Sequence, residues 1–375
     1  MDKAEYTTWL EIDLGAIRNN LRQLQQITKK PVMAVVKANG YGHGIVEVSK
    51  AAQEAGVGWL GVARIDEALA IRRGGVQCRI LVFGYTPPER IPEAIENGIS
   101  QSVYDPQIAE AYAGQARRAG GVLPVHVKFD SGMGRLGLFP EQGVDFVKWL
   151  NRQEGLQVQG IFTHFARADE PLLSTTDWQI GRFQGMIDEL QALQLRPQWV
   201  HACNSAGSLY FPQGYFDMVR SGIAVYGIDP SPEAPLPAGF RPAMSLKTTL
   251  VSIKELPAGY GVGYNHHYFT QKTERVGVLS VGYADGFRRR LGAEAILRGN
   301  RVPVLGTVCM DQCMVQIDSV PDAAVGDEVV LLGSQGAVSI SAEDLGREWN
   351  TSPYEVVCGM SARPERIYVD HSSRE

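Results

Sequence analysis

The chain has 375 residues, which suggests two domains. Its residues are 44% hydrophobic and 21% charged, a composition that supplies a large core and argues against wholesale disorder. A net charge of −5 without a long basic run argues against nucleic acid as the main partner. No apolar run approaches the ~18 residues of a membrane span, and the polar start lacks a signal-peptide core. The cysteines are odd in number and scattered, which favours a reducing cytoplasm over a disulfide framework or a metal site: Cys78, Cys203, Cys309, Cys313 and Cys358.

Strand-like and helix-like segments alternate along the first part of the chain. A short strand, Trp9–Ile12, precedes a helix over 14–27 whose apolar residues recur at helical spacing. Eight further strands are expected at 31–36, 57–62, 79–83, 101–104, 123–129, 158–163, 198–202 and 216–219. Amphipathic helices are expected between most of them, at 45–55, 65–73, 88–97, 106–119, 142–152 and 176–193. The alternation predicts an α/β fold, with an N-terminal (β/α)8 TIM-type barrel.

The composition changes near Asp229, where a proline-rich stretch is typical of a linker. Beyond it, short alternating runs at 246–253, 275–281, 313–317 and 328–332 predict a β-rich C-terminal domain. We therefore expect a barrel domain over 9–235 and a β-rich domain over 240–375. Residues 1–12 are expected to associate with the second domain.

The segment Pro31–Gly44, P-V-M-A-V-V-K-A-N-G-Y-G-H-G, places Lys37 at the end of the first barrel strand. Three glycines follow it, which let the backbone turn tightly and come close to a ligand. A desolvated lysine amine can act as a base or as an imine-forming nucleophile. The alternative is a lysine whose side chain snorkels from the strand end into water.

Polar residues also follow four of the other predicted strands. Because active-site groups of such barrels lie at the carboxyl ends of the strands, these side chains are expected to meet at one mouth. The glycine-containing turns after the last two strands stand where barrels commonly bind phosphate. The residues are Lys37, Lys128, Asp130, Arg135, His164, Asn204, Ser205, Arg220, Ser221, Gly222 and Ile223.

Several motifs follow one another along the whole chain: V-V-K-A-N-G-Y-G-H-G, G-M-G-R-L-G, T-H-F-A, N-S-A, V-R-S-G-I-A-V-Y-G, V-G-Y-A-D-G, C-M-D-Q and P-Y-E-V. In this order and spacing they resemble the alanine racemases, pyridoxal-phosphate (PLP) enzymes with a barrel and a β-domain. The resemblance implies interconversion of L-alanine and D-alanine by two-base proton transfer at Cα of a PLP aldimine, with D-alanine supply for peptidoglycan as the role.

The resemblance also implies the cofactor contacts. Lys37 would bond covalently to PLP, and Arg220 and Arg135 would hydrogen-bond the ring nitrogen and the ring hydroxyl. His164 would lie against the ring, and Lys128 matches a lysine that is carbamylated in some members. The phosphate would be held by Tyr41, Ser205, Gly222, Ile223 and Tyr354, with Asn204 beside it.

The role of Arg220 can be argued from its chemistry. A guanidinium only donates hydrogen bonds, so a pyridine nitrogen facing it must accept and stay unprotonated. Such a ring is a weaker electron sink, which suppresses transamination and favours return of the proton to Cα. The alternative is an ordinary ion pair at a strand end.

Racemisation needs a second base on the opposite face of Cα, and Tyr260 and Tyr264 are candidates. We choose Tyr264 because it precedes Tyr283 by 19 residues, the family spacing. A phenol needs cationic or hydrogen-bonding neighbours to act as a base near neutrality, and His164 and Arg220 could supply them. The resemblance implies a homodimer with shared active sites, in which Tyr264, Tyr283 and Met310 come from the partner chain and the last two, with Arg135, bind substrate.

Two positions depart from the family pattern. Thr307 stands where many members have an arginine, and Ser352 stands where some have an apolar residue; both line the substrate entrance in the family. A broader-specificity or serine-preferring PLP racemase therefore remains an alternative. A non-catalytic PLP-binding protein is a further alternative, although such proteins resemble the barrel alone.

Overall fold

The computed structural model of the protein describes residues 5–371 and divides into two compact units. One unit comprises Ala16–Gly40 and Ile45–Arg241, and the other comprises the described residues of 1–15 and 242–375 together with Tyr41–Gly44. The predicted placements of residues 1–4 and 372–375 lie outside the described residues. The first strand, β1 (Thr8–Asp13), belongs to the second unit.

The first unit is a barrel of eight parallel strands. They are β2 (Val32–Val35), β3 (Trp59–Val62), β4 (Arg79–Val82), β5 (Ile99–Val103), β6 (Leu123–Lys128), β7 (Leu156–Phe162), β8 (Trp199–His201) and β9 (Val219–Ser221). They are ordered β8-β7-β6-β5-β4-β3-β2-β9, and a bridge between His201 and Met218 brings the two ends of the sheet together. This arrangement confirms the predicted (β/α)8 fold.

Helices alternate with these strands and bury one apolar face each. In the first of them Ile17, Leu21 and Leu24 are fully buried. Asp105 caps another by accepting hydrogen bonds from the N–H groups of Gln107 and Ile108 at 2.8 and 3.0 Å. The α-helices are Leu14–Thr28, Ile45–Glu54, Ile65–Arg73, Ile91–Glu96, Pro106–Arg118, Gly143–Leu150, Thr175–Ala192 and Ser205–Tyr210.

The last barrel strand differs from its prediction at 216–219. Phe216 has a left-handed backbone (φ 46°), and the Asp217 N–H donates to the Val200 carbonyl at 3.0 Å. These residues therefore form the approach to the strand, and β9 begins at Val219. Arg220 and Ser221 lie within the strand instead of after it.

The second unit is dominated by a nine-stranded sheet, as predicted for a β-rich domain. Besides β1, the strands of this unit are β10 (Met244–Leu256), β11 (Gly261–Val262), β12 (Tyr268–Phe269), β13 (Glu274–Leu279), β14 (Glu294–Leu297), β15 (Asn300–Leu305), β16 (Cys313–Gln316), β17 (Glu328–Gln335), β18 (Val338–Ile340) and β19 (Glu365–Val369). The order in the sheet is β18-β17-β14-β15-β16-β13-β10-β1-β19, and β17 also pairs with β10. β1 pairs antiparallel with β10 and parallel with β19, and β11 and β12 form a separate hairpin.

Two helices of this unit, Ala342–Trp349 and Pro353–Cys358, were not predicted. The first begins with a capping box, in which Ser341 Oγ accepts from the Asp344 N–H at 3.1 Å and the Asp344 carboxylate accepts from the Ser341 N–H at 2.9 Å. Within residues 5–371, none of the helices combines the length and the apolar character that a membrane crossing requires.

Candidate active site

Lys37 follows β2 and opens a turn with an unusual backbone. Ala38 and Asn39 have φ values of 54° and 55°, a left-handed conformation that costs a non-glycine residue roughly 1–3 kcal/mol. Glu67 stabilises the turn, because its carboxylate accepts from the Ala38 N–H at 2.6 Å and from the Ala63 N–H at 2.8 Å. Sequence reasoning missed Glu67, which occupies an ordinary helix-capping position.

Tyr41 and Tyr354, both predicted phosphate contacts, lie near each other in the second unit, with ring centroids 6.3 Å apart. Burial raises the pKa of Tyr41 well above its usual value, so the phenol remains a hydrogen-bond donor. Gly42 beside it cannot carry a side chain, because a Cβ would lie 2.1 Å from the Val357 carbonyl oxygen. Ser352 Oγ accepts from the Tyr354 N–H at 3.3 Å and so caps the helix that carries this tyrosine.

Arg220 is a nearly buried cation in β9, with 4% of its surface exposed. Its Nη2 donates to the carbonyl oxygens of Thr163 and Ala202, each at 2.8 Å, and to His164 Nδ1 at 3.2 Å. The guanidinium carbon lies 5.4 Å from the centre of the Phe162 ring. All of these acceptors are neutral, and no carboxylate within residues 5–371 pairs with Arg220, which argues against an ordinary ion pair.

Burial lowers the pKa of Arg220 and of two basic groups near it. Burial lowers the pKa of Arg220 to about 10, and burial followed by the nearby Arg220 lowers the pKa of Lys128 to about 7. Burial, then Arg220, lowers the pKa of His164 well below its usual value. His164 is therefore a neutral acceptor near neutral pH and cannot be the cation that assists a phenol.

Arg135 is placed by a loop that folds around Asp130. One carboxylate oxygen accepts from the N–H groups of Gly132, Met133 and Gly134 at 2.9, 2.7 and 3.1 Å. The other oxygen accepts from the Arg135 N–H at 3.0 Å. Burial alone would raise the pKa of Asp130, but these four donors outweigh it and lower the pKa.

The two glycine-containing turns meet at Ser205. Its Oγ accepts from the N–H groups of Gly222 and Ala224 at 2.9 and 3.3 Å. Asn204 caps the short helix Ser205–Tyr210 by accepting from the Gly207 N–H at 2.9 Å. Ile223 begins a short 3-10 helix, so backbone donors of both turns lie close together.

Tyr264 stands at the tip of the β11–β12 hairpin, with 65% of its surface exposed. Gly263 before it has φ 69°, and a Cβ there would lie 2.9 Å from Met314 Cε. Tyr260, Tyr264 and Met310 line one cleft of about 740 Å³ in the second unit. Geometry places both tyrosines in this cleft, so the choice of Tyr264 still depends on its spacing.

Tyr283 and Met310 lie on two loops that are bonded together. The Tyr283 N–H donates to the Cys309 carbonyl and the Ala284 N–H to the Met310 carbonyl, each at 3.1 Å. Gly282 permits this approach, since a Cβ would lie 2.2 Å from the Met310 oxygen. Asp311, which follows Met310, forms a 2.6 Å ion pair with Arg363.

The predicted site residues fall into two sets, one in each unit. Within the barrel, contacts join Arg220 to His164 and Ser205 to Gly222. The first set comprises Lys37, Lys128, Arg135, His164, Asn204, Ser205, Arg220, Gly222 and Ile223. The second set comprises Tyr41, Tyr264, Tyr283, Met310 and Tyr354.

A parallel barrel with a lysine after its first strand, together with a β-rich domain that presents tyrosines, defines a class of two-domain proteins built on a TIM-type barrel. The family profile "Alanine racemase, N-terminal domain" matches residues 12–230, and "Alanine racemase, C-terminal domain" matches residues 243–368. The chain therefore belongs to the alanine racemase family.

Individual relatives agree over the whole length. An alanine racemase of Symbiobacterium thermophilum is 44% identical over 364 residues, which cover 96% of this chain and 97% of the relative. The structure of alanine racemase from Clostridium difficile 630 has a TM-score of 0.92 at 37% identity, covering 98% of this chain and 97% of that one. The Bacillus anthracis enzyme, solved with bound L-Ala-P, has a TM-score of 0.91 at 38% identity, covering 98% and 96%.

Proposed function

We propose that the protein interconverts L-alanine and D-alanine with PLP as its cofactor. The observation that carries the proposal is the full-length family match, which includes both domains. We also propose that residues 9–235 act as the cofactor-binding domain and 240–375 as the domain that contributes the second base. Supply of D-alanine for peptidoglycan, in the cytoplasm, is the proposed role.

The residues at the barrel mouth fit PLP. The buried Arg220 has donors but no carboxylate partner in the described chain, which suits an acceptor such as a pyridine nitrogen. Ser205 Oγ accepts from the N–H groups of Gly222 and Ala224, so its hydroxyl proton would suit a phosphate oxygen, and Tyr41 and Tyr354 would add phenol donors. Ile223, Gly222 and Asn204 belong to the same proposed phosphate site. When bound, PLP would supply the electron withdrawal that acidifies the Cα proton of an attached amino acid.

Two side chains of this protein would then move the proton. Lys37 Nζ would take or return it on one face of Cα, and Tyr264 Oη on the opposite face. Arg135, Met310 and Tyr283 would hold the substrate carboxylate and fix its orientation. His164 would lie against the cofactor ring and, as a neutral group, would add no charge there.

We further propose a homodimer in which Tyr264, Tyr283 and Met310 serve the barrel of the partner chain. Their exposures of 65%, 40% and 52% are large for apolar side chains and support burial against another surface. Co-expressing Lys37→Ala and Tyr264→Phe chains tests this arrangement. A hybrid dimer with shared sites has one intact site, so the mixture should recover about a quarter of wild-type activity. Recovery of none would place both residues of a site on the same chain.

The reaction itself is tested by incubating the purified protein with D-alanine and PLP and reading both enantiomers by chiral chromatography. Lys37→Ala should abolish the interconversion and the absorbance near ~420 nm expected of a lysine-bound PLP. Absence of L-alanine from the wild-type reaction would discard the proposal.

Tyr264→Phe should slow the two directions of the reaction unequally, as measured by Cα deuterium exchange. Tyr260→Phe, from the same cleft, is the matched control.

The alternative of a serine-preferring racemase depended on Thr307 and Ser352. Ser352 has a structural reason to be polar, because it caps the Tyr354 helix. Thr307 is buried, with 6% of its surface exposed. Comparing kcat/KM for alanine and serine decides the point, and a serine preference would replace the alanine assignment. The C-terminal match argues against a non-catalytic PLP-binding protein.

A further inference from the structure

A line of buried hydrogen-bonding side chains extends from Arg220 through the barrel interior. Arg220 Nη1 lies 3.0 Å from His201 Nδ1, and His201 Nε2 lies 2.9 Å from His126 Nδ1. His126 Nε2 lies 3.3 Å from Gln159 Oε1, which also accepts from Ser100 Oγ at 2.9 Å. Both imidazoles are fully buried. The line connects four strands and ends on an amide oxygen, to which Ser100 on a fifth strand also donates.

The bond that Arg220 donates to His201 requires one direction for every other bond in this line. A guanidinium only donates, so His201 Nδ1 must accept and the His201 proton must lie on Nε2. That proton is donated to His126 Nδ1, which places the His126 proton on Nε2. The last proton needs an acceptor, and the Gln159 oxygen is the acceptor there.

The backbone is built to place this amide. Val125 pairs with Val158 and His126 pairs with Gly160, so Gln159 is the extra residue of a β-bulge between β6 and β7. A bulge redirects a side chain that regular pairing would point elsewhere. Gly160 makes room for the imidazole, because a Cβ there would lie 2.5 Å from His126 Nδ1.

We propose that Gln159 is a positioning residue: by accepting the last proton of the line, its amide oxygen stabilises the proton order of His126 and His201 that the bond to Arg220 requires, and so holds Arg220 toward the ligand at the barrel mouth. With the amide reversed, His126 Nε2 would have to accept, and the His201 proton would move to Nδ1. Two donors would then face each other between His201 and Arg220. The identity of the ligand rests on the proposed function, whereas the proton order does not.

Burial keeps both imidazole rings of this line uncharged. Burial lowers the pKa of His126 to about 3 and lowers that of His201 well below its usual value. Because neither ring carries charge, nothing in the line neutralises or repels Arg220 near neutral pH. The full guanidinium charge remains available to a ligand, at a fixed orientation.

Histidine-selective isotope labelling with nitrogen NMR tests the proton order directly. In the wild type, His126 and His201 should both carry their proton on Nε2. Gln159→Met removes the acceptor and should leave at least one ring in mixed tautomers, whereas Gln159→Glu restores an acceptor and should restore the order. Gln157→Met, at an exposed position of the same strand, is the matched control and should change nothing.

A proton on Nδ1 of either ring in the wild type, or wild-type tautomers in Gln159→Met, would overturn the inference. If Gln159→Met does not fold, the wild-type and Gln159→Glu spectra still decide it. With the folded protein, Gln159→Met should lower kcat roughly two- to tenfold, the effect of one neutral hydrogen bond, while KM changes less. Failure of the proposed reaction would abolish wild-type turnover but leave the NMR result intact.

Discussion

The loop that carries Arg135 should depend strongly on the charge of Asp130. In Asp130→Asn the amide oxygen can still accept from the three N–H groups of Gly132, Met133 and Gly134. The amide nitrogen must then face the Arg135 N–H, which now bonds to the carboxylate at 3.0 Å, so a donor meets a donor. Losing one hydrogen bond to a charged group costs about 1.5–3 kcal/mol, and the other three weaken.

We therefore expect Asp130→Asn to lower the free energy of unfolding by about 3 kcal/mol and the melting temperature by about 4–8 °C. The folded-state pKa of Asp130 is lowered, so this stabilisation is complete above the unfolded-state pKa. It is lost as pH falls through the folded-state pKa, and wild type and variant should converge in acid.

Thermal unfolding at several pH values, followed by KM for alanine, measures both effects. Asp145→Asn is the control, because its side chain is 94% exposed and lies 3.9 Å from Lys148. If Asp130→Asn and Asp145→Asn have the same melting temperature at neutral pH, the Asp130 carboxylate does not hold the loop. If Asp130→Asn is destabilised but its KM for alanine is unchanged, the conformation of this loop does not affect substrate binding.

Two further predictions concern other parts of the site. Because burial, then Arg220, lowers the pKa of Lys128 to about 7, its amine is largely neutral in mildly alkaline solution and can add CO₂. Carbon NMR with labelled bicarbonate should reveal a carbamate signal that grows as pH rises through neutrality. The signal should vanish in Lys128→Met and remain in the control variant Lys30→Met. A signal that remains in Lys128→Met would exclude this lysine. Gly282→Ala should destabilise the fold by about 1–3 kcal/mol and raise KM, because its Cβ would lie 2.2 Å from the Met310 oxygen. Gly58→Ala, where a Cβ meets nothing within 4 Å, is the control for calorimetry and kinetics, and equal melting of the two variants would contradict the expectation.

Much of the barrel was predictable because buried parallel strands are short apolar runs between amphipathic helices. The helix Ile65–Arg73 matched its prediction, and strand β4 differed from its prediction by one residue. The last strand was misplaced because its approach contains a left-handed Phe216, which no periodicity reveals. The capping box at Ser341 could have revealed the helix Ala342–Trp349, since the spacing of Ser341 and Asp344 is a helix-start signal.

The candidate site was only partly predictable. Polar residues at strand ends identified Lys37 and Arg220, because the barrel geometry brings such ends together. Sequence gave no sign of Glu67 as the group that holds the Lys37 turn, or of Gln159 as a bulge residue. Both depend on pairing between strands or turns distant in sequence, which a pattern along one segment cannot reveal.

The position of β1 has a consequence for biosynthesis. Trp9 pairs with Lys247 on one side and with Glu365 on the other, so this early strand acquires its neighbours only after most of the chain has left the ribosome. Leu10 and Ile12 are fully buried in the complete sheet. During translation these apolar side chains remain exposed until the later strands have been synthesised. The central sheet of the second unit thus closes last, and stalled or shortened chains should be substrates for chaperones and proteases.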